Sequence, residues 1–144
     1  MDGRIEDVAD IPAAAGAGTK SNRIQAMGLR EILQDWGYRF QEPEFAWVAV
    51  VEAVNVMPKN GAIAAFSVGH SLGTIEAVLA CEGIGVERAQ PAAWKRAMGL
   101  GTDKAASRAL ATQHYPADAH RWRLAKHHNR AEAVLIAHWW ITRR

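Results

Sequence analysis

The stretch Phe45-Ala46-Trp47-Val48-Ala49-Val50-Val51-Glu52 decides how this chain is read. Seven apolar residues in a row, closed by an acid, show neither helical spacing nor alternation, and predict a strand buried on both faces of a helix-covered sheet. Working outward, 55–60 is a connecting loop. From Gly61 to Cys81 the residues Ile63, Phe66, Ile75, Val78 and Leu79 recur at helical spacing, Gly83 stops that helix, and Ile84 to Ala89 is a second short strand. Pro91 suits the first turn of a helix holding Trp94, Lys95 and Arg96; Gly99 and Gly101 break it, and Thr102 caps another that runs to about His114, before Pro116. A last helix spans about His128 to Ile141, with Ala131, Leu135 and His138 on one face.

Upstream of the central run, Ser21 or Asn22 caps a helix with Ile24, Met27, Ile32, Leu33 and Trp36 as its apolar face, stopped by Gly37. Pro12 to Lys20, rich in Ala and Gly, reads as a flexible loop. Arg4 to Ile11 reads as a short strand behind the turn dipeptide Asp2-Gly3, a hairpin turn with no strand before it. The alternation of strands and helices predicts an α/β fold, one domain over 1–144 built as a layered sheet covered by helices.

Composition narrows the function. The 144 residues hold 49% apolar residues, enough for a sizeable core. The longest strictly apolar run, Phe45 to Val51, is seven residues, far short of the roughly 20 of a membrane helix. With an acidic N-terminus (Asp2, Glu6, Asp7, Asp10) and no apolar leader, a cytoplasmic location without membrane insertion is expected. A single cysteine, Cys81, excludes an internal disulfide and a multi-cysteine zinc site. The net charge of +2 conceals a division: Met1 to Ile84 has six Lys and Arg against eleven acids, and Gly85 to Arg144 has eleven against four, with five of the six histidines. A basic face for a polyanion is one reading of that division, and ordinary solvated helix faces are the other.

Three constellations carry possible chemistry. Gly69-His70-Ser71-Leu72-Gly73 spells the G-x-S-x-G of a hydrolase nucleophile elbow, with Asp103 or Asp118 and His120 or His138 downstream. The alternative is a helix with two glycines one turn apart that happens to contain Ser71. Second, His128 and Glu132 share one face of the last helix, Asn129 lies beside them, and Glu52 at its strand end is placed to complete a divalent-cation site. Oxygen-rich ligands suit Mg²⁺ or Mn²⁺, which activate water for phosphodiester cleavage; a polar helix start is the plain alternative. Third, Trp94-Lys95-Arg96 and Arg121-Trp122-Arg123 set indoles among cations, either to stack on bases and contact phosphates or as core anchors flanked by solvated bases.

Val50-Val51-Glu52, Met57-Pro58, Phe66-Ser67-Val68-Gly69 with Gly73, Gly83-Ile84, the Pro91 to Lys95 segment, Lys104, and Asn129-Arg130-Ala131-Glu132-Ala133 occur in an order and spacing that resembles RuvC-like Holliday-junction resolvases, particularly compact phage and prophage forms. The resemblance covers about Asp2 to Ala137. It implies an RNase H-like fold with a mixed sheet and helices on both faces, a homodimer, and Mg²⁺- or Mn²⁺-dependent cleavage of branched DNA. It implies Glu52, His128 and Glu132 as catalytic residues, and Glu52, His128, Asn129 and Glu132 as metal ligands, with His127 another candidate for the third position. Lys59, Lys95, Arg96, Lys104, Lys126 and Arg130 are the expected DNA contacts. The aspartate on the family's first strand has no counterpart, so the chain reads as N-terminally incomplete relative to that family. It is then either a piece of a longer active enzyme or a catalytically dead DNA-binding relative.

Overall fold

A computed structural model describes residues 3–15, 22–40, 47–54 and 61–143. The fold is mixed α/β and predominantly helical. In chain order the elements are β1 (Ala13–Ala15), β2 (Asn22–Ile24), α1 (Ala26–Arg39), β3 (Val48–Glu52), α2 (Ala62–Cys81), β4 (Gly85–Ala89), α3 (Pro91–Ala97), α4 (Lys104–His114), 3-10 segments at Pro116–Trp122 and Ala125–His127, and α5 (His128–Thr142). The chain divides into two compact units: Met1–Asp10 with Val50–Ala53 and Arg88–Arg144, and Ile11–Ala49 with Val54–Glu87.

The first unit carries the tryptophan core. Trp94, Trp122 and Leu135 are fully buried, joined by Ala89, Ala111, Ala131 and Ile136. Ala111 on α4 and Ala131 on α5 have no exposed surface, and such small side chains let two helices approach closely. Trp122 is seated by its indole N–H, which donates to Thr112 Oγ1 at 3.0 Å. α3 starts with Pro91 in its first turn, where the missing N–H costs nothing. α4 is capped by Asp103, whose carboxylate accepts from the Ala105 N–H at 2.8 Å, one residue beyond the expected Thr102. Gly83 (φ 69°) and Gly99 (φ 65°) take the left-handed conformation just past α2 and α3, as their sequence positions predict.

β3 and β4 form a two-stranded sheet. Ala53, just past β3, donates its N–H to the carbonyl of Ala89, the last residue of β4, at 2.8 Å. The C-terminal ends therefore lie side by side and the strands run parallel, with α2 as the connection between them. The expected larger sheet with β3 buried on both faces is not seen among the described residues. Among these residues β3 pairs with β4 alone, Val50, Val51 and Glu52 are half-buried, and Val48 is 42% exposed.

Three further expectations are corrected. Arg4 to Ile11 is not a strand: Asp7 bonds the N–H of Val8 and diverts the backbone locally, although Ile5 and Val8 still pack against the core. The Ala-rich loop contains β1, paired antiparallel to β2 with Ala13 opposite Ile24. α1 starts at Ala26 and runs through Gly37 to Arg39, so Ile24 belongs to β2, and Leu29 is the residue α1 buries while Met27 is exposed.

In the second unit α2 is as long as its spacing predicts. Its 20 residues, with a mean hydropathy of 1.4 along the most apolar stretch, also make it long and apolar enough to cross a membrane by length and composition. The count of strictly apolar runs missed this because Ser, Gly, His and Thr interrupt the run and add no Lys, Arg or Asp, with Glu76 as the single acid. Ile63 and Phe66 on this helix are 64% and 60% exposed.

This packing makes Leu135 and Ile63 respond differently to truncation. Leu135→Ala lowers unfolding stability by about 2–5 kcal/mol through reduced burial and a cavity, whereas Ile63→Ala changes it by no more than about 0.5 kcal/mol; denaturant titration compares them. A second prediction concerns His138, whose Nδ1 is 2.8 Å from Tyr115 Oη and whose ring lies 4.3 Å from that of His114. Desolvation, then the His114 charge, lowers its pKa from 6.5. Folding thus favours neutral His138, so stability is full above pH 6.5 and falls as the pH drops below it. Thermal melts from pH 7.5 down to about 5 should show that decline, and His138→Gln should reduce it.

Candidate carboxylate centre and basic surface

The acids singled out in the sequence, Glu52 and Glu132, both belong to the first unit. Each is engaged by one residue of a single dipeptide on α3. The Trp94 indole N–H donates to Glu52 Oε1 at 2.9 Å, and Lys95 Nζ lies 3.5 Å from Glu132 Oε1. Consecutive helical residues project about 100° apart, so neighbours can serve two separate groups. Trp94 goes into the core and Lys95 to its rim, with the ammonium 5.2 Å from the indole centroid. Glu132 also accepts from the hydroxyl of buried Ser107 on α4 at 3.3 Å.

The remaining expected ligands, His128 and Asn129, lie at the start of α5. His128 Nδ1 lies 3.3 Å from the carbonyl oxygen of Ala125, and Asn129 is exposed. His127 has its pKa lowered by desolvation and by the Arg130 and Lys126 charges, in that order. Among the described residues no three His, Cys, Asp or Glu side chains converge into a group that could hold a metal ion. With Trp94 on one carboxylate and Lys95 and Ser107 on the other, Oε1 of each acid is engaged by a protein donor, whereas a Mg²⁺ or Mn²⁺ centre requires several converging oxygen donors.

The expected DNA contacts fall into two groups. Arg130 is committed: Nε donates to Asp10 Oδ1 at 2.7 Å, and Nη1 to the Arg121 carbonyl at 3.0 Å. The Arg130 hydrogen bond is the leading reason why the Asp10 carboxyl is held below its ordinary pKa. Lys95 is committed to Glu132. Arg96 and Lys104 are exposed and, among the described residues, have no ion pair with an acid, while the exposed Lys126 lends its charge to holding the Asp10 carboxyl below its ordinary pKa. Lys59 lies outside the described residues.

Two cations that the sequence did not mark for DNA join them. Arg108 follows Lys104 by one turn of α4, and its Nη1 donates to the carbonyl of Arg123 at 3.2 Å, which holds the exposed Arg123 beside that helix. The Lys104/Arg108 spacing of four on a capped helix was the signal available. For Trp94 and Ser107 as carboxylate partners the sequence held none, because both contacts cross between elements.

The indoles and the serine are settled by position. Trp94 and Trp122 are buried core anchors and cannot stack on bases. Gly69 to Gly73 lies inside α2, with no strand running directly into Ser71, so the nucleophile-elbow reading is set aside. Its nominated partners are engaged elsewhere: Asp103 caps α4, Asp118 pairs with Arg121, His120 meets the Ala117 carbonyl, and His138 meets Tyr115. No protein-family model matches this chain, and no curated protein matches it.

Removing the donor to Glu52 tests the buried half of this arrangement. A double-mutant cycle between Trp94→Phe and Glu52→Leu, read by denaturant unfolding, should return a coupling of about 1–3 kcal/mol. Additive single effects would show that the hydrogen bond contributes nothing.

Proposed function

We propose that this protein binds branched DNA and is related to the RuvC-like junction resolvases of RNase H-like fold, acting in the cytoplasm. The observation that carries the proposal is the basic surface around α4: Lys104 and Arg108 one turn apart, Arg123 held against Arg108 by a hydrogen bond, and Lys126 three residues further on. Closely spaced cations of this kind neutralise phosphates and release counter-ions. The surface lies in the basic second half, and Lys104 and Lys126 are two of the positions expected from the sequence to contact phosphate.

The cleaving form of the proposal assigns Glu52, His128, Asn129 and Glu132 to Mg²⁺ or Mn²⁺. The binding-only form is favoured by the engagement of both carboxylates with protein donors. Nicking of a four-way junction in Mg²⁺, abolished by Glu52→Gln, selects the first; junction binding without nicking selects the second. The homodimer that the resemblance implies would have the exposed Phe66 of α2 to use in its interface.

Lys104→Ala with Lys126→Ala should weaken junction binding and reduce the slope of log K against log salt by close to two, at about 0.9 for each phosphate left without its cation. An unchanged slope would remove the basic surface from the account.

A further inference from the structure

We infer that Lys95 is a built-in counter-ion for Glu132 that competes with any divalent cation for that carboxylate, so that the Glu132 charge is balanced by the chain itself and DNA binding needs no metal. The inference rests on the reading of Glu52 and Glu132 as counterparts of the resolvase metal ligands.

Three observations support it. The Lys95 ammonium is 3.5 Å from Glu132 Oε1, with the two side chains 31% and 20% exposed, so solvent screens the pair only in part. The ammonium is not free to wander: it lies 5.2 Å from the centroid of Trp94, itself fixed in the core. The same dipeptide satisfies Glu52 through the indole N–H, and Ser107 supplies a further donor to Glu132. A lysine ammonium is a compact point charge with three donors, and of the side chains it most nearly imitates a small hydrated cation. Taking it away would leave Glu132 with the Ser107 hydroxyl as its remaining donor among the described residues, and an underneutralised carboxylate attracts a hard cation.

The test is Mn²⁺ binding, followed by the fall of the free-ion electron paramagnetic resonance signal, on the whole chain. Lys95→Met should bind Mn²⁺ at least tenfold more tightly than the unaltered protein, Lys95→Gln should do the same, and adding Glu132→Gln should abolish the gain. Lys95→Gln keeps a polar side chain, so it serves if the methionine variant fails to fold. Equal Mn²⁺ affinity in the unaltered protein and both variants would overturn the inference, as would a gain that survives Glu132→Gln. Junction binding by the unaltered protein should be the same in EDTA and in Mg²⁺; binding that requires the metal would also overturn it. Absence of junction binding in both media would instead overturn the DNA-binding proposal and leave the Mn²⁺ result to stand alone.

Discussion

The burial of Trp94 is the constraint on which the first unit depends. A fully buried indole brings one polar atom into the core, and leaving its N–H without an acceptor would cost about 1–3 kcal/mol. Glu52 supplies that acceptor from the end of β3, which ties a strand terminus to a short helix. Because α3 has only seven residues, the position of Trp94 also sets that of Lys95, and through it the environment of Glu132 on α5. A core requirement thereby becomes an electrostatic one, and two acids distant in sequence are engaged by adjacent residues, one through a hydrogen bond and one through an ion pair.

Much of the local structure was legible in the sequence. α2, α3 and α5 are marked by apolar spacing, by Pro91 and by Gly83 and Gly99, all of which act within a few residues. The errors occur where a partner decides. The run ending in Glu52 does form a strand, but its burial depends on how many strands flank it, and a sequence pattern carries no count of neighbours. Arg4 to Ile11 has strand-like apolar positions, yet Asp7 takes the Val8 N–H and Arg121 pairs with that same acid, so no ladder forms there. Ala13 to Ala15 carries no strand signal of its own and becomes one only through pairing with β2.

The candidate site divides along the same line. Glu52, Glu132, Lys104 and Lys126 could be picked out because charge and spacing are local properties. What each charge faces could not. Arg130 and Lys95 looked as open to phosphate as Lys104 does, and the structure commits one to Asp10 and the other to Glu132. An ion pair between α3 and α5 depends on the packing of the helices, which is set by Ala131 and Leu135 rather than by the charged residues themselves.

The central claim is that the basic surface around α4 receives DNA. Amide chemical-shift mapping of the ¹⁵N-labelled protein, titrated with an immobile four-way junction in EDTA, tests it most directly. The account predicts perturbations concentrated at 104–108 and 123–126. Shifts confined to α2, or no shifts at junction concentrations that saturate known DNA-binding domains, would contradict it.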